Sequence, residues 1–172
     1  MPVALPITAA DRKTLTILHT NDIHGHITNW RGWEGDLAGR TLGGFDRLAT
    51  AVKRARSESD NLLLLDAGDA IGDTLVAGST EGKAVVELMN ALRYDALTLG
   101  NHEPDFGMDV LRQRIGEAQF HVVAANVVDS RSKRLFTKPY VVRSVGGVKV
   151  AILGIAYPNT PLTTAKKNVA GY

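Results

Sequence analysis

Three short clusters in this 172-residue chain hold the residue types that bind divalent cations and move protons. They are Asn21-Asp22-Ile23-His24-Gly25-His26, Ala67-Gly68-Asp69 and Gly100-Asn101-His102-Glu103-Pro104-Asp105. Asp22 and His24, two residues apart on one turn, can both reach a single ion. Asp69 has two carboxylate oxygens and can bridge two ions, and Asn101 offers a neutral oxygen to the second without adding charge. Such a mixed nitrogen and oxygen set suits Mn²⁺, Zn²⁺ or Fe rather than Ca²⁺ or a thiolate metal. Two ions about 3.5–4 Å apart clamp a phosphoryl oxygen and generate hydroxide near neutral pH. His102, next to a ligand, can protonate a leaving oxygen, a role worth about 10²–10⁴-fold. Asp105, three residues on, can orient that imidazole and stabilise its charged form.

Each cluster alone has a plainer reading. An Asp-x-His pair is common, Asp69 can cap a turn after a strand, and Asn101-His102 can form an Asx turn beside a surface imidazole. Only the three together carry the metal reading. His19 and His121 fall inside strand patterns and read as structural, while His26 stays open. Trp30 and Trp33 sit among Gly32, Gly35 and Gly39 and read as loop packing rather than as a base-stacking platform. Two look-alikes fail. Gly78–Ala84 lacks the first glycine and the hydroxyl residue of a phosphate-binding loop, and no strand leads into it. His102-Glu103-Pro104-Asp105-Phe106 has Phe where a zinc helix needs its second His, and Pro104 breaks the helix.

The clusters need a scaffold that brings them together. Thr14–Thr20, Asn61–Asp66, Asp95–Leu99 and Phe120–Ala125 read as strands, the second a continuous apolar run suited to burial on both faces. Phe45, Leu48, Ala49, Val52 and Ala55 form one apolar helical face, with Arg47, Lys53, Arg54 and Arg56 towards solvent. A second helix is expected from Thr80 as N-cap, carrying Val85, Leu88, Met89 and Leu92, and a third over Met108–Ala118 with Leu111 and Ile115 inward. Alternating strands and helices imply βαβ crossovers and a mainly parallel sheet. All three clusters then lie just past strand C-termini, the edge where open α/β sheets bind ligands. Tyr140–Val145, Gly146-Gly147 and Val148–Ile155 read as an antiparallel hairpin, followed by a polar, proline-punctuated tail over 158–172. No internal repeat or dividing linker is evident.

Composition excludes several classes. There is no cysteine, so disulfides, thiolate zinc and a thiol nucleophile are ruled out. The net charge is +2 and the basic residues are scattered, which is no nucleic-acid-binding stripe. No apolar run approaches the roughly 18–20 residues of a membrane span.

Ile17–His26, Gly43-Gly44 with Arg47, Leu65–Thr74, Gly100–Asp105 and Ala124–Val127 occur together in an order that resembles a known family. The chain looks like the N-terminal part of the catalytic domain of the bacterial 5'-nucleotidase/UDP-sugar hydrolases, within the calcineurin-like metallophosphoesterases. The likeness covers residues 14–172, with 1–13 as an N-terminal extension. It implies an αββα four-layer sandwich of which the first half is present. It also implies a pair of Mn²⁺ or Zn²⁺ ions, with Asp22 and His24 on the first, Asp69 bridging and Asn101 on the second. His102 and Asp105 would form the catalytic dyad, and the substrate would be a nucleotide or another small phosphoester. Pro104 stands where the family usually has an aromatic, and the family's later Gly-His-x-His motif has no counterpart before Tyr172. This chain by itself is therefore expected to bind metal weakly and hydrolyse little, and to self-associate through an exposed sheet edge, with the apolar hairpin face of Val148, Val150, Ile152 and Gly154 left without a partner layer. By the same resemblance the location is periplasmic or secreted, behind a cleavable signal. The alternatives are a thiosulfohydrolase of the same superfamily and an inactive metal-binding fragment.

Overall fold

The computed structural model describes residues 12–72 and 74–171; most of the expected N-terminal extension, Asp73 and Tyr172 lie outside the described residues. Four parallel strands form the main sheet: β1 (Thr16–Thr20), β4 (Leu62–Asp66), β5 (Ala96–Thr98) and β6 (His121–Val123), side by side in that order. Between the first two, a small antiparallel pair, β2 (Trp30–Arg31) and β3 (Thr41–Leu42), elaborates the first loop. The apolar run of β4 makes it a central strand. Leu63 and Leu64 face opposite sides, and each is only 1% exposed. Leu18, Leu64, Leu97 and Val122 pack against one helical layer made of α1 (Phe45–Glu58), α3 (Lys83–Ala91) and α4 (Met108–Glu117). Phe45 and Val52 of α1, Val85 and Met89 of α3 and Leu111 of α4 supply its buried side, as the 3.6-residue periodicity requires. The chain has the expected α/β class with a parallel sheet.

Two helical details differ from the sequence reading. The second helix does not start at Thr80. A short α2 (Leu75–Ser79) comes first, with the Thr74 hydroxyl accepting the Ala77 N–H at 3.2 Å. Glu81 and Gly82 then adopt left-handed φ values of 48° and 79°, which no α-helix accommodates, so the chain restarts at Lys83 and closes at Leu92. Arg56 is also not a solvent residue. Its guanidinium donates to the carbonyls of Leu92 and Arg93 at 2.7 and 2.9 Å, tying α1 to the C-terminal end of α3.

The hairpin forms as expected from β7 (Tyr140–Val145) and β8 (Val148–Leu153), with Val145 opposite Val148. Gly146 and Gly147 have φ of 58° and 75°, the left-handed pair that a two-residue turn matching strand twist demands. The hairpin lies on the sheet face opposite the helices. Lys13 Nζ donates to the Gly146 carbonyl at 2.8 Å near the start of β1, and Arg143 pairs with Asp95 at 3.0 Å. At its other end Gly154 sits against the Val123 carbonyl and the Thr98 hydroxyl. This seating corrects one expectation. Val150 and Ile152 are half-buried and Gly154 is buried, and of the face read as uncovered only Val148 is exposed; the apolar side chains left in solvent are Tyr140, Val142, Leu153 and Ile155 on the opposite face. No described helix is long and apolar enough to cross a membrane.

Behind the C-terminal edge of the sheet lies a small polar network. The Thr20 hydroxyl donates to Asp66 Oδ2 at 2.6 Å and meets the Tyr94 hydroxyl at 2.8 Å, and Asp66 Oδ1 accepts the Gly68 N–H at 2.9 Å. Asp66 is 3% exposed. Burial pushes its carboxyl up to about 6, against the opposing pull of Thr20 and Gly68, with Asp22 and Asp69 adding to the rise. A carboxyl raised by folding contributes stability while both states are protonated, and that contribution is lost as pH climbs through the folded value. Asp66→Asn keeps an oxygen for the Gly68 N–H and cannot ionise. In chelator-treated protein, the wild type is therefore expected to lose about 3 kcal/mol of unfolding free energy relative to Asp66→Asn between about pH 4 and about pH 7. Urea unfolding across that range checks it; parallel pH profiles for the two proteins would contradict it.

Candidate metal centre

The first two clusters converge on one spot. One ligand atom each from Asp22, His24 and Asp69 lies within 4.8 Å of the others. His24 Nε2 is 3.6 Å from Asp22 Oδ1, and the Asn21 amide donates to the other Asp22 oxygen. The third cluster closes the site. The His102 ring stands edge-on to His24 with centroids 4.7 Å apart, and its Nδ1 lies 2.7 Å from Asp105 Oδ2. Asn101 is half-buried beside His102 on the same loop.

The backbone is held in unfavourable conformations to achieve this. Asp22, His24 and Asp69 have φ of 51°, 48° and 57°, three of the six left-handed non-glycine residues among those described. Such residues cost of order 1–3 kcal/mol each and persist where surrounding bonds over-determine them. Here the bonds run from loop to loop. Asp22, His24 and Gly25 donate their N–H groups to the carbonyls of Gly68, Asp69 and Ala70 at 3.0, 2.8 and 2.9 Å. The second loop in turn abuts the third so closely that no side chain fits between them. A Cβ on Gly68 would lie 2.7 Å from the Gly100 nitrogen, and one on Gly100 would lie 2.2 Å from Asp69 Oδ1.

Glu103 has no role in the sequence reading, yet it organises the contact between those two loops. It is 3% exposed and accepts four backbone N–H groups: Asp69 at 3.0 Å, Ala70 at 2.8 Å, Ile71 at 3.4 Å and Gly100 at 2.6 Å. Burial pushes its carboxyl up to about 7, opposed by the N–H groups of Asp69 and Gly100. In the reverse direction, Asp69 Oδ1 accepts the His102 N–H at 2.7 Å. Nothing in the sequence pattern marks Glu103 beyond its place between His102 and Pro104, because three of its partners are amides 32–34 residues away. The tail over 158–172 also contributes unexpectedly. It forms a short α5 (Thr160–Thr163), and it reaches back to this loop. The Thr164 hydroxyl donates to the Asn101 carbonyl at 2.6 Å and the Asn168 amide to the Asp105 carbonyl at 2.5 Å.

His26, left open by the sequence, stacks edge-on with Trp30 at 5.5 Å, and both line a cleft that Asp22 also borders. Trp33 is 84% exposed and packs no loop, a correction to the sequence reading. His19 and His121 stay on β1 and β6, outside the Asp22–His24–Asp69 group. Two carboxylates and an imidazole on a strained, tightly bonded scaffold form a donor set suited to a borderline divalent cation. The His102–Asp105 pair beside it is suited to proton transfer.

Known proteins resemble this chain in sequence and in fold. The calcineurin-like phosphoesterase family model matches residues 15–159. Human 5'-nucleotidase is 40% identical over 161 residues, covering 89% of this chain and 28% of that protein. A 5'-nucleotidase precursor from Thermus thermophilus has a TM-score of 0.76 and 41% identity, covering 85% of this chain and 29% of that one. The sulfate thiohydrolase SoxB from the same species has a TM-score of 0.79 at 18% identity, over 98% of this chain and 39% of its own, a likeness of fold alone. This chain spans 27–29% of the length of the human and snake venom 5'-nucleotidases it matches. With residues 15–159 matched by the family model and its parallel-sheet fold matched by solved structures, the chain belongs to the calcineurin-like phosphoesterase family.

Proposed function

We propose that this chain carries metal-binding and proton-transfer residues of the catalytic centre of a metal-dependent phosphoester hydrolase of the 5'-nucleotidase kind, acting on nucleotide phosphomonoesters. The observation that supports this most is the convergence of Asp22, His24 and Asp69 within 4.8 Å, beside the hydrogen-bonded His102–Asp105 pair. Asp22 and His24 would hold one divalent ion, Mn²⁺ or Zn²⁺ by the donor set, Asp69 would be shared with a second, and Asn101 would serve that second ion. When bound, the ions supply Lewis-acid polarisation of the phosphoryl group and of water. The residues do the rest. Asp105 accepts the Nδ1–H of His102 in a 2.7 Å hydrogen bond, so the ring is fixed in orientation and, as the imidazolium, hands its Nε2 proton to the leaving oxygen. The 5'-nucleotidase names among the relatives support the nucleotide substrate, and the snake venom relatives are compatible with a secreted or periplasmic location. The thiosulfohydrolase alternative rests on the 18% identical neighbour, which speaks for fold alone.

Two substitutions in the full-length protein test the assignment. Asp69→Ala is expected to weaken both Mn²⁺ sites by more than the roughly 10–100-fold that outer-sphere partners contribute, whereas Asp22→Ala weakens mainly one. Calorimetric Mn²⁺ titration reads this directly, and unchanged binding in Asp69→Ala would remove the bridging role. His102→Ala is expected to keep near-normal metal content while turnover of a 5'-mononucleotide falls about 10²-fold or more. Loss of an ion from that variant would show that His102 is a ligand instead.

A further inference from the structure

Glu103 places a carboxylate among apolar side chains, in the same small cavity wall as Ile71, Met89, Leu97, Leu99 and Leu111. A charge there is costly unless its surroundings saturate it. They do so with backbone donors from two of the site loops. Oε1 accepts Ala70 and Ile71, and Oε2 accepts Asp69 from the second loop and Gly100 from the third. One oxygen atom is thus the joint between the loop that carries Asp69 and the loop that carries Asn101 and His102. The joint is reciprocal, since Asp69 Oδ1 accepts the His102 N–H.

We propose that Glu103 is the positioning residue of the metal centre, setting the register between the Asp69 loop and the Asn101–His102 loop. The inference rests on reading the Asp22–His24–Asp69 group as that centre. Asp69 sits at φ 57° and needs external restraint. Its own N–H and those of the next two residues all end on Glu103, so this carboxylate supplies that restraint from one side. The first loop supplies it from the other, through the carbonyls of Gly68, Asp69 and Ala70. The Asp69 carboxylate is aimed by the same clasp, because the His102 N–H that holds it belongs to the residue next to Glu103. Replacing one oxygen by an amide, as in Glu103→Gln, turns a donor against N–H groups. Shortening the arm, as in Glu103→Asp, withdraws the joint from one loop or the other.

The test uses the full-length protein with Glu103→Gln and Glu103→Asp, each confirmed as folded by circular dichroism and thermal melting, and Mn²⁺ as the probe. Calorimetric titration is expected to show a roughly 10–100-fold loss of Mn²⁺ affinity in the folded variants, the size typical of partners that orient a ligand. His102→Ala, on the same loop, keeps its affinity. A residue that served only the fold would lower the melting temperature and leave the Mn²⁺ affinity of the folded protein unchanged, which would overturn the proposal. So would failure of both variants to fold, since Glu103 would then support the whole domain rather than the site. Absence of Mn²⁺ binding by the wild type would instead refute the metal centre itself, and this role with it.

Discussion

A single buried carboxylate, Glu103, joined to four backbone amides, is the constraint on which the site geometry depends. The main sheet delivers its loops side by side, but strands about 4.7–4.9 Å apart fix only where each loop begins. What happens beyond the last strand residue is decided by loop-to-loop bonding. The loop after β4 is the middle layer. Its carbonyls accept from the loop after β1, and its amides donate to Glu103 from the loop after β5. Each N–H from Ala67 to Ile71 and each carbonyl from Gly68 to Ala70 therefore has a partner, as burial at the sheet edge requires.

This bonding explains why left-handed backbone is tolerated at Asp22, His24 and Asp69. Strain at three neighbouring positions amounts to several kcal/mol, a sizeable part of the roughly 5–15 kcal/mol by which domains are stable. It is offset by hydrogen bonds shielded from water, including charge-assisted ones to Glu103. His102 is similarly fixed, by Asp105 at its ring and by Asp69 at its backbone. Under the proposed hydrolase role, a site built in this way has little left to reorganise, since positioning and electrostatics supply most of the catalysis of phosphoryl transfer.

Much of this is legible in the sequence because it depends on local pattern. The LLLL run of β4, the apolar stripe of α1 and the Gly146-Gly147 turn each announce their structure through periodicity or turn chemistry. The three strand-end clusters are legible for the same reason, since a parallel sheet must bring successive C-terminal ends to one edge. What stays hidden depends on distant backbone. Glu103 bonds amides of residues 69–71, Arg56 bonds carbonyls of residues 92 and 93, and Thr164 and Asn168 bond carbonyls of the His102 loop. Backbone groups are identical at every position, so no residue type flags them as partners. The split between α2 and α3 is equally silent, because it turns on left-handed backbone at Glu81, a residue that ordinarily favours helix.

The exposed sheet residues follow from the same layering. Helices cover one face of the sheet, and the β7–β8 hairpin covers part of the other, leaving Ile17 of β1 53% exposed. The central claim is the convergence of Asp22, His24 and Asp69 on a metal pair, and anomalous diffraction from crystals of the full-length protein grown with Mn²⁺ tests it most directly. The account predicts two peaks about 3.5–4 Å apart, with the Asp69 carboxylate between them and Asp22 and His24 on one only. A single ion that leaves Asp69 uncoordinated, or no ion at this cluster, would contradict it.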